Sequence, residues 1–186
     1  MARRNDKRSR LVAAADKLFH EQGINTTTLA NIAQLADVPL GNVYYYFKSK
    51  ESIVLAVIEY RRRILQQQFE ELNTLPDSKS RLQALIRQGL TSSEEMINFG
   101  DALGSLCQEL GKQGGVIAGS AADLMKDIMG WCEKQFAAIG KGARAESLAI
   151  NLVSCLQGLS LLTLTLKDQK YLQNQTEFLI NWIETA

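Results

Sequence analysis

Apolar residues recur at helical spacing along most of the chain, and few segments alternate with the two-residue period of a β-strand. Only two prolines, Pro39 and Pro76, interrupt this pattern. The first predicted helix carries on one face Leu11, Ala14, Ala15, Leu18 and Phe19. Gly23 follows that face, in the position where a left-handed glycine commonly ends a helix. The pattern therefore predicts an all-helical fold.

Two short helices joined by a tight turn are predicted between Thr26 and Lys50. The first carries on one face Leu29, Ile32, Ala33 and Ala36, and Thr28 precedes it as the expected N-cap. The run Asp37-Val38-Pro39 ends this helix, because the residue before a proline avoids the α conformation. Proline itself suits the start of the helix that follows.

The second short helix is predicted to expose a polar aromatic face. Its inner face is expected to carry Leu40, Val43, Tyr44 and Phe47, and its outer face Gly41, Asn42, Tyr45 and Tyr46. Two short helices joined by a tight turn, the second of them polar outside, are typical of a helix-turn-helix. The second helix of such a motif enters the major groove of DNA and reads base edges.

The stretch from Gly23 to Glu51 carries a pattern specific to one protein family. Its residues are Gly23, Thr27-Thr28-Leu29, Ile32-Ala33, Ala36, Val38, Gly41, Val43-Tyr44-Tyr45-Tyr46-Phe47 and Ser49-Lys50-Glu51. This pattern resembles the tetracycline-repressor (TetR) family of bacterial regulators. Asp37 stands where that family usually has glycine, and Pro39 where it has serine or threonine. Because aspartate tolerates the left-handed conformation, we expect the turn to keep its geometry.

The helix-turn-helix supplies the candidate contacts to double-stranded DNA. The candidates are Thr28, Gly41, Asn42, Tyr45, Tyr46, Lys48 and Lys50. We expect the helix end at Thr28, together with Tyr46 and the two lysines, to hold phosphates, because helix N-termini and lysines favour anions. Asn42 and Tyr45 lie on the predicted outer face and can reach base edges, the asparagine an adenine edge and the tyrosine ring a thymine methyl group.

Positive charge is concentrated at the start of the chain. Residues 1–63 hold 11 lysines and arginines against 6 acidic residues, net +5, whereas the remainder holds 10 against 14, net −4. A basic start followed by an acidic body favours phosphate binding at one end. The N-terminal run Arg3, Arg4, Lys7, Arg8 and Arg10 either contacts phosphates or is a solvated arm. The sequence after MARRNDKRSR is amphipathic, unlike a signal peptide, so we expect a cytoplasmic protein.

The 186 residues, 46% of them hydrophobic, allow one DNA-binding module and one larger core. We predict a helix-turn-helix domain at 1–49 and a helical ligand-binding and dimerisation domain at 50–186. Ser49 is expected to cap a long connecting helix, which Arg61-Arg62-Arg63 would interrupt as a solvated turn. Five further helices are predicted, over Leu82–Phe99, Asp101–Leu110, Ser120–Phe136, Leu148–Leu166 and Tyr171–Ile183.

The last two predicted helices favour a contact between two chains. A coiled-coil-like seam with spacings of four and three runs through Leu148, Leu152, Cys155, Leu159, Leu162 and Leu166. We predict a homodimer interface of Leu152, Cys155, Leu159, Leu162, Leu166, Phe178 and Trp182. The alternative is that both helices complete a monomeric core. A membrane span is a poorer interpretation, because Asn151, Gln157 and Thr163 make the run too polar for lipid.

The family resemblance implies that the dimeric body encloses a small-molecule pocket and that the ligand changes the distance between the two DNA-binding ends. The sequence offers as lining residues Met96, Phe99, Leu103, Cys107, Met125, Met129, Trp131 and Cys155. Such soft side chains favour an apolar effector, although at helical spacing they are also typical of a core. The expectation is a repressor that binds a palindromic operator and is released by its effector.

Other chemistry has little support in the sequence. One histidine, His20, and three cysteines without a CxxC pair predict no metal site, and no catalytic residue or cofactor is expected. The alternatives are a helical enzyme and an adaptor that binds protein. Retention on duplex DNA that weakens with salt separates a regulator from both. Cys107, beside a glycine-rich loop, is a weaker candidate for a reactive thiol.

Overall fold

The computed structural model describes residues 2–91 and 94–185, with side chains described from residue 6 onward. Its α-helices are α1 Ala2–Gln22, α2 Leu29–Leu35, α3 Leu40–Tyr46, α4 Lys50–Asn73, α5 Ser78–Gly89, α6 Glu94–Phe99, α7 Ala102–Gly111, α8 Gly115–Phe136, α9 Ala145–Leu166 and α10 Lys170–Thr185. A π-helical turn, Ala137–Lys141, and a 3₁₀ helix, Gly142–Arg144, join α8 to α9. All regular secondary structure of the described residues is helical, which confirms the all-α prediction.

The chain forms two compact units. The first comprises Met1–Ile64 and Ser105–Leu124, and the second comprises Leu65–Gly104 and Met125–Ala186. Helices α4, α7 and α8 therefore supply residues to both units. The division into functional domains at residue 50 stays a prediction. The first unit joins to residues 1–49 the beginning of α4, the later part of α7 and the start of α8.

Helix α4 runs without interruption from Lys50 to Asn73, so the expected turn at the three arginines is wrong. Successive residues of an α-helix point about 100° apart, so the three guanidinium groups face different directions. Arg61 pairs with Asp16, Arg62 donates to the carbonyl of Ser120, and Arg63 pairs with Glu59. Three successive arginines are thus accommodated within one helix, and Glu59 is a partner of both Arg62 and Arg63.

Two helix boundaries after α4 also differ from the prediction. The expected helix Leu82–Phe99 is divided into α5 and α6, and α8 begins at Gly115 instead of Ser120. Ser120 lies inside α8, where its hydroxyl donates to the carbonyl of Val116 one turn earlier. A serine hydroxyl can cap a helix or bond back within it, so the residue alone did not decide the boundary.

In the second unit, α7 begins in close contact with α9. The carboxylate of Asp101 accepts the backbone amide of Gly104 at 2.5 Å, as expected of a capping residue, and the side-chain amide of Gln157 at 3.2 Å. The backbone amide of Asp101 donates to the hydroxyl of Ser160 at 2.6 Å. A Cβ at Gly104 would overlap the amide group of Gln157. The glycine therefore permits this close approach.

Helix α9 is a core helix of the second unit. Its buried residues are Ala145, Ala149, Leu152, Val153, Leu159, Ser160 and Thr163. The stretch Gly115–Leu166 contains a segment with a mean hydropathy of 1.6. By length and composition alone, this segment could cross a membrane. The buried side chains of α9 pack in one cluster with those of α5, α8 and α10.

A largely buried ion pair joins α1 to α4 in the first unit. Arg61 Nε donates to Asp16 Oδ1 at 2.5 Å, and the two side chains are 19% and 14% exposed. Burial raises the pKa of Asp16 above its usual value, although the neighbouring guanidinium acts in the opposite direction. Because desolvation offsets much of the attraction, losing one partner costs more than the pair contributes.

We predict that Arg61→Met destabilises the protein by about 3 kcal/mol near neutral pH, because it leaves the buried Asp16 carboxylate without its guanidinium partner. The double variant carrying Asp16→Leu and Arg61→Met should lose less than Arg61→Met alone, since no unpaired charge is left. Urea unfolding of the wild type and the three variants, including Asp16→Leu, measures the coupling.

The deficit of Arg61→Met should also depend on pH. The folded-state pKa of Asp16 lies above its usual 3.8, so stability is lost as the pH rises from that value through the folded-state pKa. Removing the guanidinium raises this pKa further and so extends to higher pH the range over which stability is lost. The stability lost in Arg61→Met relative to the wild type should therefore become smaller as the pH falls from about 7 to about 5. A deficit equal at both values would contradict the assigned role of Asp16.

Candidate functional site

The turn between α2 and α3 has the geometry expected for Asp37, whose φ is 50°. The amide of Val38 donates to the carbonyl of Ala33 at 3.0 Å. The guanidinium of Arg10, in α1, donates to the carbonyls of Ala36 and Asp37 at 2.5 and 3.0 Å and to the Asp37 carboxylate at 3.1 Å. Arg10 therefore holds the turn, a role that the sequence pattern did not reveal, since it placed this residue in a phosphate-binding or solvated arm.

The N-terminus of α2 is held by a reciprocal cap. The Thr28 hydroxyl accepts the amide of Asn31 at 3.1 Å, and the Asn31 side chain accepts the amide of Thr28 at 2.9 Å. This confirms Thr28 as the N-cap. The buried Thr27 hydroxyl donates to the carbonyl of Gly23 at 2.8 Å and accepts from Gln22 at 3.1 Å. The start of α2 is thus tied to the end of α1.

The inner face of α3 is narrower than predicted. Val43 and Phe47 are fully buried, as expected, but Leu40 and Tyr44 are 42% and 52% exposed. Placing these two residues inward was wrong, because at about 100° per residue both lie to the same side of the buried direction in which Val43 points. Tyr44 therefore joins the exposed side chains of this helix.

The predicted base-reading residues lie at the surface of α3. Gly41 is exposed and Asn42 is half-buried. Tyr45 is 56% exposed, and its ring packs edge-to-face against the half-buried Tyr46 with centroids 5.1 Å apart. This contact restricts the rotamer of Tyr45. The assignment of these residues to base edges and phosphates stays a prediction.

The basic residues around α3 differ in their roles. The Arg8 guanidinium lies over the Phe47 ring, 5.3 Å from its centroid, a cation–π contact that packs α1 on α3. Lys48 is exposed, and Lys50 is half-buried and donates to the carbonyl of Asn25 at 3.3 Å. Arg3 and Arg4 lie outside the described side chains. Lys48 is therefore the simpler candidate for a phosphate contact.

Helix α4 begins with a second reciprocal cap. The amide of Ser52 donates to the hydroxyl of Ser49, and the amide of Ser49 donates to that of Ser52, both at 3.3 Å. The Ser49 hydroxyl also lowers the pKa of the exposed Glu51. A negative charge in the first turn suits the helix dipole. These contacts confirm Ser49 as the cap that positions Lys50.

One further contact of the helix-turn-helix was missed. Glu109, in α7, accepts two backbone hydrogen bonds from the loop that joins α1 to α2. Its sequence separation from that loop, 85 residues, gives no periodic signal. A glutamate at helical spacing is ordinarily solvated, so only the folded structure identifies this contact.

The eight candidates for effector binding are divided between the units. Cys107 belongs to the first and the other seven to the second. In the second unit, Met96 and Met129 pack against the core cluster that contains Trp131. Three more of the candidates are half-buried: Phe99, Leu103 and Met125. Cys155 is exposed, so it does not lie in the interior of the second unit.

A cleft of about 290 Å³ opens beside Trp131 in the second unit. It is lined by Leu65, Gln66, Phe69, Lys126, Asp127, Gly130, Trp131 and Lys134. Phe69 stacks on Trp131 with ring centroids 5.1 Å apart and planes inclined by 4°, and the indole N–H donates to Asn73 at 3.3 Å. Of the eight candidate lining residues, Trp131 alone borders this cleft, whose lining is both apolar and charged.

The three cysteines have different environments. Cys132 is buried, and burial raises the pKa of its thiol to about 12, which makes it inert. Cys107 is half-buried, and its thiol donates to the carbonyl of Ala121 at 3.2 Å. Its reactivity stays a prediction. Among the described residues, no group of three or more His, Cys, Asp or Glu side chains is placed to hold a metal ion.

The predicted seam of α9 divides between the inside and the outside of the second unit. Leu152 and Leu159 are 0% and 7% exposed and belong to its core, which leaves them no surface for a partner chain. The exposed apolar residues of α9 and α10 are Ile150, Leu161, Leu162, Leu166 and Phe178. Cys155, Ser154 and Gly158 are exposed as well, and Trp182 is half-buried. The dimer interface stays a prediction, now carried by this outer face.

Comparison with known proteins supports the helix-turn-helix and the fold. Residues 11–57 match the family model of bacterial regulatory proteins of the tetR family. The HTH-type transcriptional regulator TtgR of Pseudomonas putida is 37% identical over 54 residues, 29% of this chain and 26% of that protein. The match thus spans about a quarter of that relative's length.

Solved structures resemble the chain over nearly its whole length. A TetR transcriptional regulator from Legionella pneumophila has a TM-score of 0.84 and 22% identity, covering 94% of this chain and 95% of that one. The regulator FadR from Bacillus subtilis, in complex with stearoyl-CoA, has a TM-score of 0.72 and 16% identity, covering 94% and 96%. At these identities the likeness shows a shared fold.

Proposed function

We propose that this chain, a member of the tetR family of bacterial regulatory proteins, is a ligand-responsive repressor that binds operator DNA as a homodimer. The observation that carries the proposal is the helix-turn-helix. Its turn is held by Arg10, α2 is capped by Thr28, the following helix α4 is capped by Ser49, and α3 exposes polar aromatic side chains. This arrangement suits insertion of α3 into the major groove.

In the proposed complex, α3 reads sequence and the residues around it hold the backbone. Asn42 and Tyr45 contact base edges, the asparagine amide being able to pair with the adenine edge. Tyr46, Lys48 and Lys50 contact phosphates, with the capped end of α2 at Thr28 beside them. Gly41 has no side chain and leaves room for the approach of the backbone to DNA.

The homodimer is supported by the outer face of α9 and α10. Four large apolar residues there have exposed fractions between 46% and 61%: Leu161, Leu162, Leu166 and Phe178. A monomer rarely exposes so many apolar residues on adjoining helices, whereas a twofold interface buries them. Ser154 and Gly158, on the same helix, permit close approach of a partner backbone. A dimer with two recognition helices roughly 34 Å apart fits a palindromic operator.

The effector is proposed to be an apolar molecule bound in the second unit, near Trp131 and the methionines that pack around it. A ligand releases DNA only if it binds the DNA-free conformation more tightly than the DNA-bound one. Operator DNA must then weaken effector binding by the same factor. The matched relative is named a transcriptional regulator, which favours this function over an enzyme or an adaptor. The proposed compartment is the cytoplasm.

The phosphate contacts predict a change in salt dependence. Lys48→Ala and Lys50→Ala should each weaken binding to every duplex and flatten the slope of log affinity against log salt by about one unit. Binding is measured by fluorescence anisotropy over a series of salt concentrations. Lys112→Ala, which removes an exposed lysine of the first unit outside the helix-turn-helix, is the control. An unchanged slope in both variants would remove these lysines from the phosphate contacts.

The base contact of Asn42 predicts a loss of specificity. Asn42→Ala should cost about 1 to 3 kcal/mol on a duplex that the wild type selects from a random-sequence pool, while binding to random DNA stays nearly unchanged. Asn174→Ala, at an exposed asparagine of α10, is the matched control. Equal losses on selected and random DNA would show that Asn42 serves the folding of α3. Failure of the wild type to retain any duplex would refute DNA binding itself.

The apolar face predicts the oligomeric state. Leu162→Asp should give monomers, because a carboxylate cannot be buried at the centre of an apolar interface without a partner. Sedimentation velocity and operator binding are measured together, with circular dichroism to show that the helices are retained. Val116→Asp, at a residue 82% exposed in α8, introduces the same charge outside the face. An intact dimer in Leu162→Asp would place the interface elsewhere.

A further inference from the structure

The loop between α1 and α2 is held by a residue from another part of the chain. The two carboxylate oxygens of Glu109, in α7, accept the backbone amides of Ile24 at 2.8 Å and Asn25 at 3.0 Å. These amides lie just after the end of α1, in the loop that leads to α2. Hydrogen bonds to a carboxylate are stronger than those between neutral groups. One side chain therefore fixes two successive peptide groups.

The glycine that precedes these amides suits the same contact. Gly23 has a φ of 84°, a conformation that residues with a side chain rarely adopt. A Cβ at this position would lie 3.3 Å from Glu109 Oε2. Gly23 thus both turns the chain out of α1 and leaves room for the carboxylate.

The fixed loop leads directly to the start of α2. The carbonyl of Asn25 accepts the Lys50 ammonium at 3.3 Å, which connects the loop to the first turn of α4. The fully buried Thr27 donates to the carbonyl of Gly23, and Thr28 then caps α2. A displacement of the peptides at Ile24 and Asn25 would therefore move a DNA-proximal lysine and the first turn of α2 together.

We propose that Glu109 is a positioning residue for DNA binding, because it sets the loop that places α2 and Lys50. The inference rests on the proposed function and adds a residue outside the helix-turn-helix to it. Helix α7 supplies residues to both compact units, so a shift of this helix along its axis acts on the loop through the two hydrogen bonds of Glu109. The Glu109 carboxylate is thus a group through which α7 acts on DNA affinity.

The test uses Glu109→Gln, which keeps the size of the side chain but presents an amide group to one of the two backbone donors. Amide hydrogen exchange of Ile24 and Asn25 is followed by NMR in the free protein. Affinity is measured on the duplex that the wild type selects from a random-sequence pool, well below the unfolding temperature. Gln108→Ala, at the exposed neighbouring residue of α7, is the control, and Glu109→Ala removes both acceptors as a second variant.

We expect exchange of both amides to become about tenfold faster and affinity for the selected duplex to fall about tenfold, the effect of losing one charge-assisted hydrogen bond. The slope of affinity against salt should stay unchanged, because Glu109 touches no phosphate. Unchanged exchange in both Glu109 variants would show that the contact does not hold the loop. Faster amide exchange with unchanged affinity for the selected duplex would also overturn the inference. If Asn42→Ala loses affinity for that duplex while the Glu109 variants keep theirs, the inference fails and the proposed function stands.

Discussion

Helices α2 and α3 have only seven residues each, and this shortness governs the whole first unit. Isolated helices shorter than about 12 residues are marginal in water, so neither can hold its own orientation. Their arrangement depends on contacts from longer helices: Arg8 on the Phe47 ring, Arg10 on the carbonyls of the turn, and Glu109 on the loop before α2. The surface proposed to contact DNA therefore depends on the whole first unit and not on α2 and α3 alone.

Features encoded within a few residues could be predicted from the sequence. The caps at Thr28 and Ser49, the left-handed turn at Asp37 and the all-helical fold each have a local signal in residue type and spacing. Contacts over long sequence separations have none. Arg10 lies 26 residues from Ala36, and Glu109 lies 85 from Ile24. Both side chains are charged residues on helices, which in sequence look like solvated ones.

The seam of α9 shows why periodicity alone did not separate core from interface. Apolar residues surround most of this helix, so several stripes with similar spacing can be drawn through it. Leu152 and Leu159 face the core, whereas Leu162 and Leu166 face outward from the next turns. Burial, which depends on where α5, α8 and α10 pack, distinguishes the two. The same ambiguity placed Tyr44 inward on α3, although more than half of it is exposed.

The contact between Gly104 and Gln157 couples evolutionary change at separate positions. A Cβ at position 104 would overlap Gln157 Oε1 and lie 2.9 Å from Asp101 Oδ2, so alanine there requires both side chains to move. Both atoms are at the ends of side chains, so what such a substitution disturbs is their hydrogen bonds at the start of α7. The effect of a mutation at position 104 therefore depends on which residues stand at 101 and 157, because residues in one hydrogen-bond network do not act additively.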